Sequence, residues 1–373
     1  MAGLNRRHWL AGVALTGGAL VGAGRAAAFS QTGAQAASVD FGRLSLNENA
    51  LGPSPSVGRV IAANLDRLNR YVGQDEVDIL AAQIARLERV DPEQVVLGEV
   101  LEPLGLHLAS ARGGGAFVFS TPGYTALIDA SKSVGGVGIG VPLNARLEND
   151  LPALAAAVDD RTLAVSLVNP HNPSGTVDDA ATFDRFVTET AAKTLVVVDE
   201  AYLEYDDLDR RSAIRFTRAG FNVLTFRTLA KVYGLAGLSA GYAVAPLELA
   251  RSLKAAGVGS PHAQNRLTLA AASAALADQD HVRTVVASVR RGRDRLHAAL
   301  DRLGLKHTDS KASYVFFESR LPAEPVRADL KQRGLTVARA FPPLDAWIRI
   351  TVGTPDETDA VIAALNVIYA RAS

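Results

Sequence analysis

Short apolar runs closed off by polar or turn-forming residues recur along the first two thirds of the chain. They read VVL at 95–97, AFVFS at 116–120, VGIGVPL at 137–143, LAVSLV at 163–168, LVVVD at 195–199, NVLTF at 222–226 and AGYAVA at 240–245. Runs this short predict strands, and apolar positions at helical spacing fill several of the intervals between them. Seven strands alternating with helices predict an α/β fold, with one mostly parallel sheet covered by helices on both faces. From about residue 250 the pattern changes to a long amphipathic stretch, HVRTVVASVRRGRDRLHAALDRLG, followed by YVFFES, GLTVAR and WIRITVG. This predicts a smaller α+β domain. The expected organisation is a large domain at 61–250 and a small one at 251–373, preceded by a leader and an arm at 29–60. The arm, LSLNENALGPSPSV, is broken by Pro53 and Pro55.

The first 28 residues follow a different pattern. Arg6 and Arg7 precede an uncharged run from Leu10 to Gly24, and Ala26-Ala27-Ala28 supplies small residues at a cleavage point. The segment is similar to a twin-arginine export signal, which predicts a periplasmic mature protein. A membrane span needs about 20 predominantly apolar residues, so this glycine-rich run, interrupted by Arg25, predicts no stable anchor. The twin-arginine route carries folded proteins, which suits a chain loaded with a cofactor before export.

Charge and composition narrow the partners. The 373 residues include 39 basic and 39 acidic side chains, which leaves no net field to attract nucleic acid or an anionic membrane. A small-molecule partner is expected instead. The absence of cysteine excludes disulfides, thiolate metal sites and a cysteine nucleophile, and the seven histidines show no ligand spacing.

In an open parallel sheet, chemistry gathers beyond the carboxyl ends of the strands. Four such ends carry reactive groups: Tyr124 in TPGYTAL, Asn172 in NPHNPSG, Asp199 and Tyr202 in DEAY, and Lys231 in RTLAK. Lys231 stands alone among small and apolar neighbours, a setting in which an ammonium loses hydration and becomes reactive. An aromatic face, an amide, a carboxylate, a phenol and an amine are the parts that a pyridoxal ring requires. The amine would form a Schiff base and move protons, and the carboxylate would pair with the ring nitrogen. Phenol and amide would hold the ring's phenolate oxygen while Tyr124 stacks on its face. Taken singly each residue has an ordinary structural reading; the ordered set does not.

The chain resembles the fold type I pyridoxal-phosphate aminotransferases, and within them the histidinol-phosphate aminotransferase group. LSLNENALGPSP, LNRY, TPGYTAL, NPHNPSG, VVVDEAYLEY, TLAKVYGLAGL and WIRITVGTPDE carry the resemblance, from about Leu44 onward. It implies a transaminase that shuttles an amino group between an amino acid or related amine and a 2-oxo acid, with pyridoxal 5′-phosphate attached to Lys231. It implies that Arg349 grips the substrate's anionic group, with Arg339, Glu48 and Asn49 as further candidates on the substrate side. Tyr71 would cross a homodimer interface to the partner's cofactor, and Thr228 and the amides at Leu101 and Glu102 would serve its phosphate.

The departures cluster at that phosphate. The family's glycine-serine/alanine-acid/threonine turn is Val100-Leu101-Glu102 here, its serine before the lysine is Ala230, and its phosphate-binding arginine is Ser239. A non-catalytic or weakly cofactor-binding protein on the same scaffold is the alternative reading, as is racemisation or decarboxylation. Retention of both Lys231 and Asp199 argues against the non-catalytic reading. Histidinol phosphate belongs to cytoplasmic biosynthesis, so an exported enzyme is expected to act on something else.

Overall fold

The computed structural model describes residues 41–370. The residues expected to form the export signal and leader, up to residue 40, lie outside the described part. Among the described residues there are eleven strands: β1 (Arg43–Leu44), β2 (Val95–Leu97), β3 (Gly115–Thr121), β4 (Gly136–Pro142), β5 (Thr162–Val168), β6 (Leu195–Asp199), β7 (Val223–Thr228), β8 (Gly241–Val244), β9 (Tyr314–Glu318), β10 (Thr336–Val337) and β11 (Trp347–Thr351).

Strands β2 to β8 are the seven apolar runs of the sequence, and they form one sheet in the order β2-β8-β7-β6-β5-β3-β4. Only β8 runs against the others. Every residue of β6 and β7 is buried, as expected for strands covered on both faces. Successive side chains point to opposite faces, which divides the apolar residues between two cores. Phe117, Val197 and Leu224 pack with Leu104 and Ile128 on one face, while Val118, Val196 and Val198 pack with Phe183, Phe186 and Phe216 on the other.

The amphipathic stretch near residue 281 is the helix Gln279–Arg302, started by Asp278, whose carboxylate accepts from the His281 N–H. Strands β9 and β11 pair antiparallel, with Arg349 opposite Phe316. GLTVAR gives only the two-residue β10, because after Val337 the chain turns toward β11, where the Ala338 N–H donates to the Arg349 carbonyl. Parallel to β10 lies β1, so the arm is held by the other end of the chain. Glu357 adds to this by accepting from the Gly42 N–H at 2.8 Å, and Thr351 Oγ1 accepts from the Asn47 N–H at 3.0 Å.

A buried amide braces the carboxyl ends of β3 and β5. Asn149 Oδ1 accepts from Ser120 Oγ at 2.7 Å, and its Nδ2 donates to Asp178 Oδ2 at 2.9 Å and to the Val168 carbonyl at 3.3 Å. Burial pushes the Asp178 carboxyl up to about 7, against the pull of the Asn149 donor. The unfolded chain gives up this proton near pH 4 and the folded chain only near 7, so the folded state holds more protons across that window. Stability therefore falls as pH rises through it. Asp178→Asn keeps an acceptor for Asn149 and removes the titration. Its unfolding free energy relative to the parent's, read from denaturant titrations, is expected to be higher at pH 8 than at pH 5 by on the order of a few kcal/mol. Identical pH dependence in the two proteins would remove Asp178 from this role.

Candidate active site

The register of three strands decides which residues meet at the sheet's carboxyl edge. Thr228, the last residue of β7, pairs with Gly241, the first of β8. Gly241 in turn accepts from the Gly98 N–H at 2.8 Å, which extends the pairing of β2. Glu99 therefore emerges beside Thr228, and Thr228 Oγ1 donates to Glu99 Oε1 at 2.9 Å. A Cβ at position 241 would lie 3.0 Å from the Arg227 carbonyl and 3.1 Å from that of Gly98, so a side chain there would have to push both carbonyls back.

The connection from β7 to β8 carries Lys231. Leu229 N–H donates to the Ala240 carbonyl at 2.7 Å and Leu235 N–H to the Leu229 carbonyl at 3.0 Å, which closes the loop on itself. From the arm, Asn49 Nδ2 donates to the carbonyls of Val232 and Gly52 at 2.9 and 3.0 Å, clamping the lysine loop. The Lys231 ammonium, half-buried, donates to the Leu46 carbonyl at 3.0 Å and lies 5.9 Å from the centre of the Tyr202 ring.

A cavity of about 980 Å³ opens over this edge, and Lys231, Asp199, Tyr202, Tyr124, Asn172, Thr228, Arg349 and Arg339 all line it. Asp199 is buried, and desolvation pushes its carboxyl up to about 7 although the Ala201 N–H donates to it at 3.0 Å. A protonated ring nitrogen in contact with it would reverse that shift. The Tyr202 hydroxyl accepts from Asn47 Nδ2 at 3.0 Å. Tyr124, 49% exposed, presents its ring to the cavity. Its phenol is pushed up to about 12, by desolvation first and then by Asp199, Glu99 and Glu102. It therefore stays neutral.

Arg349 is the most unusual group. Its guanidinium is buried between the Tyr314 and Phe341 rings, 5.2 and 4.9 Å from their centres. It donates to Asn172 Oδ1 and to the Ser45 carbonyl, its Nε has no partner, and among the described residues no carboxylate pairs with it. Burial lowers its pKa, as expected of a cation held without a counter-ion.

The side chains of the other expected residues do not line this cavity, and the Leu101 and Glu102 amides stand at the start of their helix. Leu101 packs in the core and Glu102 is exposed in the first turn of the helix Leu101–Arg112. Asn49 is committed to the lysine loop, and Glu48 is ion-paired with Arg43. Tyr71 is 88% exposed, edge-on to His262. Ser239 caps a short turn in the left-handed region at φ 48°. Among the cavity residues that the sequence did not single out are Asn47 and Glu99. Asn47 stood two places from Asn49 in the same motif, and Glu99 follows Gly98, the residue just beyond β2.

Residues 40–365 match the family of class I and II aminotransferases. The chain belongs to that family. Its members are pyridoxal-phosphate enzymes of fold type I. This aminotransferase is 34% identical to a histidinol-phosphate aminotransferase of Moorella thermoacetica, over 89% of this chain and 86% of the relative. It is 33% identical to an aromatic amino acid aminotransferase of Corynebacterium jeikeium, over 87% of each chain. The crystal structure of the histidinol-phosphate aminotransferase of Sinorhizobium meliloti, in complex with pyridoxal 5′-phosphate, superposes with a TM-score of 0.79 at 29% identity, covering 89% of this chain and 92% of that one.

The family's cofactor fits this aminotransferase at one end only. Lys231, buried Asp199, Tyr202, Asn172 and the Tyr124 ring line one cavity and are the group types that a pyridoxal ring requires. The phosphate end does not fit. Ala230 offers no hydroxyl, Pro103 removes one N–H from the first turn of the helix Leu101–Arg112, and Glu99 brings a carboxylate to the place. The clamp on the lysine loop is testable separately. Asn49→Ala deletes two side-chain donations and one acceptance, from the Leu51 N–H. It is expected to lower the unfolding free energy by about 1–3 kcal/mol in a denaturant titration; a change below about 0.3 kcal/mol would show that water replaces the clamp.

Proposed function

We propose that this chain is an exported aminotransferase that moves an amino group between a 2-oxo acid and an amino acid or related amine with an anionic or aromatic group. The observation that carries this reading is Arg349, a buried guanidinium without a carboxylate partner, lining the same cavity as Lys231 and Asp199. An incoming carboxylate would supply the missing counter-ion through charge-assisted contacts and would fix the substrate's orientation. Phe341 and Tyr124 add apolar ring surface, which suits an aromatic or imidazole side chain; relatives named for histidinol phosphate and for aromatic amino acids fit this preference.

The bound ring supplies an electron sink for the charge left on the substrate carbon. The chain's own groups do the rest. Lys231 is the covalent attachment point, and its Nζ, once free, takes and returns the substrate's proton as general base and acid. Asp199 holds the ring nitrogen protonated. Tyr202, oriented by Asn47, and Asn172, oriented by Arg349, hold the phenolic oxygen.

A homodimer is part of the proposal. Leu46, Leu51, Leu65, Leu68 and Tyr71 are exposed along the arm and the segment after it, an apolar surface that a second copy would cover. Tyr71 would then reach the partner's pocket. Export rests on Arg6 and Arg7 before the uncharged run.

Lys231→Ala is expected to abolish turnover and the visible absorbance of the loaded protein. Arg349→Ala should raise KM for anionic donors by about 10- to 100-fold, the loss of one hydrogen-bonded charge contact, with neutral amines much less affected. Full turnover in the lysine variant would remove the aminotransferase reading, and equal losses on anionic and neutral donors would remove the role of Arg349. For export, changing Arg6 and Arg7 to lysine should keep the precursor in the cytoplasm. Fractionation that finds the mature form in the periplasm at the parental rate would overturn the assignment.

A further inference from the structure

We propose that Glu99 makes the ring site select a pyridoxal-type ligand whose 5′ substituent is an uncharged hydroxymethyl group over one that carries a phosphate ester. This rests on the reading above that the cavity holds a pyridoxal ring, and the ring's covalent geometry then fixes where the substituent goes. The aldehyde carbon and the ring nitrogen lie at opposite ends of the ring. The phenolic oxygen and the 5′ carbon flank the aldehyde on opposite sides. With Lys231 at the aldehyde, Asp199 at the nitrogen, and Tyr202 and Asn172 at the phenolic oxygen, the 5′ carbon faces the remaining wall. That wall holds Thr228, Ala230 and Glu99.

It is an acidic wall. The Thr228 hydroxyl already donates its proton to Glu99 Oε1, and Ala230 has no polar side-chain atom. The helix Leu101–Arg112 begins nearby with Glu102 and Pro103 in its first turn, so its own carboxylate answers the positive end of the helix and one amide donor is missing. Among the cations that line the cavity, Arg327, Lys331, Arg339 and Arg349 exert no resolved pull on Glu99; Lys231 alone does, and Lys231 is the attachment point. Desolvation raises the proton affinity of Glu99, and Glu102 adds to the rise.

A phosphate dianion on this wall meets the Glu99 carboxylate, with the charge of Glu102 felt from behind it, and no arginine. A hydroxymethyl group meets a good acceptor, because Glu99 Oε2 remains free to receive its O–H. The site thus rejects one ligand by like charge and holds the other by a charge-assisted hydrogen bond. A phenol brought by Tyr71 from a second copy is neutral and does not change the sign.

The experiment is a fluorescence titration of the purified mature chain and of Glu99→Gln with two ligand pairs. One pair is pyridoxal and pyridoxal 5′-phosphate. The other is 4-deoxypyridoxine and its 5′-phosphate, which lack the aldehyde and so report the wall without the bond to Lys231. In the parent, the unphosphorylated member of each pair is expected to bind at least tenfold more tightly. In Glu99→Gln, that ratio is expected to fall at least tenfold, through tighter binding of the phosphorylated member. Tighter binding of the phosphorylated members by the parent would overturn the inference and leave the aminotransferase reading standing. An unchanged ratio in the variant would remove Glu99 as its cause. Failure of all four ligands to bind the parent would instead sink the ring-site reading on which the inference rests.

Discussion

The candidate site depends on one reversed strand. Because β8 runs against the six other strands of the sheet, the chain must fold back at the carboxyl edge, and the fold-back places Lys231 over that edge. The same strand carries the register across to β2, through Gly241 and Gly98, and so sets Glu99 against Thr228. A parallel connection at this point would have needed a long crossover, and the amine would have left the edge where the other groups gather.

Around that edge the charges are arranged in two unequal groups. Asp199, Glu99 and Glu102 stand on the side of the large sheet, where each raises the pKa of the Tyr124 phenol. Arg349 and Arg339 stand on β11 and the chain after β10, where the charge of Arg339 bears on Arg349 and, among the described residues, no carboxylate pairs with Arg349. A cavity built this way is polarised from one wall to the other. A ligand that is cationic at its ring and anionic at its far end matches the polarity without any movement of the protein.

Much of this was legible in the sequence. The seven apolar runs became the seven strands of the large sheet because each is short, rich in branched residues and bounded by turn formers, so local preference and burial agree. Lys231, Asp199, Tyr202, Tyr124 and Asn172 share a cavity because strand ends share an edge. Glu99 was not legible, since its meaning depends on the β2-β8-β7 register rather than on its neighbours in sequence. Asn47 and Asn49 show the same limit: one motif holds both, and only the tertiary structure turns one toward Tyr202 and the other toward Val232. Tyr71 reads as a ligand group in sequence and stands exposed in a single chain, as a residue must if its role lies in a second copy.

The arm that rims the cavity is fastened by what comes last in the chain. Gly42 is held by Glu357, Arg43 and Leu44 by Thr336 and Val337, and Asn47 by Thr351, contacts that span roughly three hundred positions. Contacts this distant in sequence are the slowest to form, because the intervening loop must close first. During synthesis the large sheet has all its strands well before Thr351 and Glu357 appear. The pocket therefore gains the last fastening of its rim late, and a chain cut short before Thr336 keeps the Asn49 clamp on the lysine loop but loses every contact that pins Gly42, Leu44 and the Asn47 backbone.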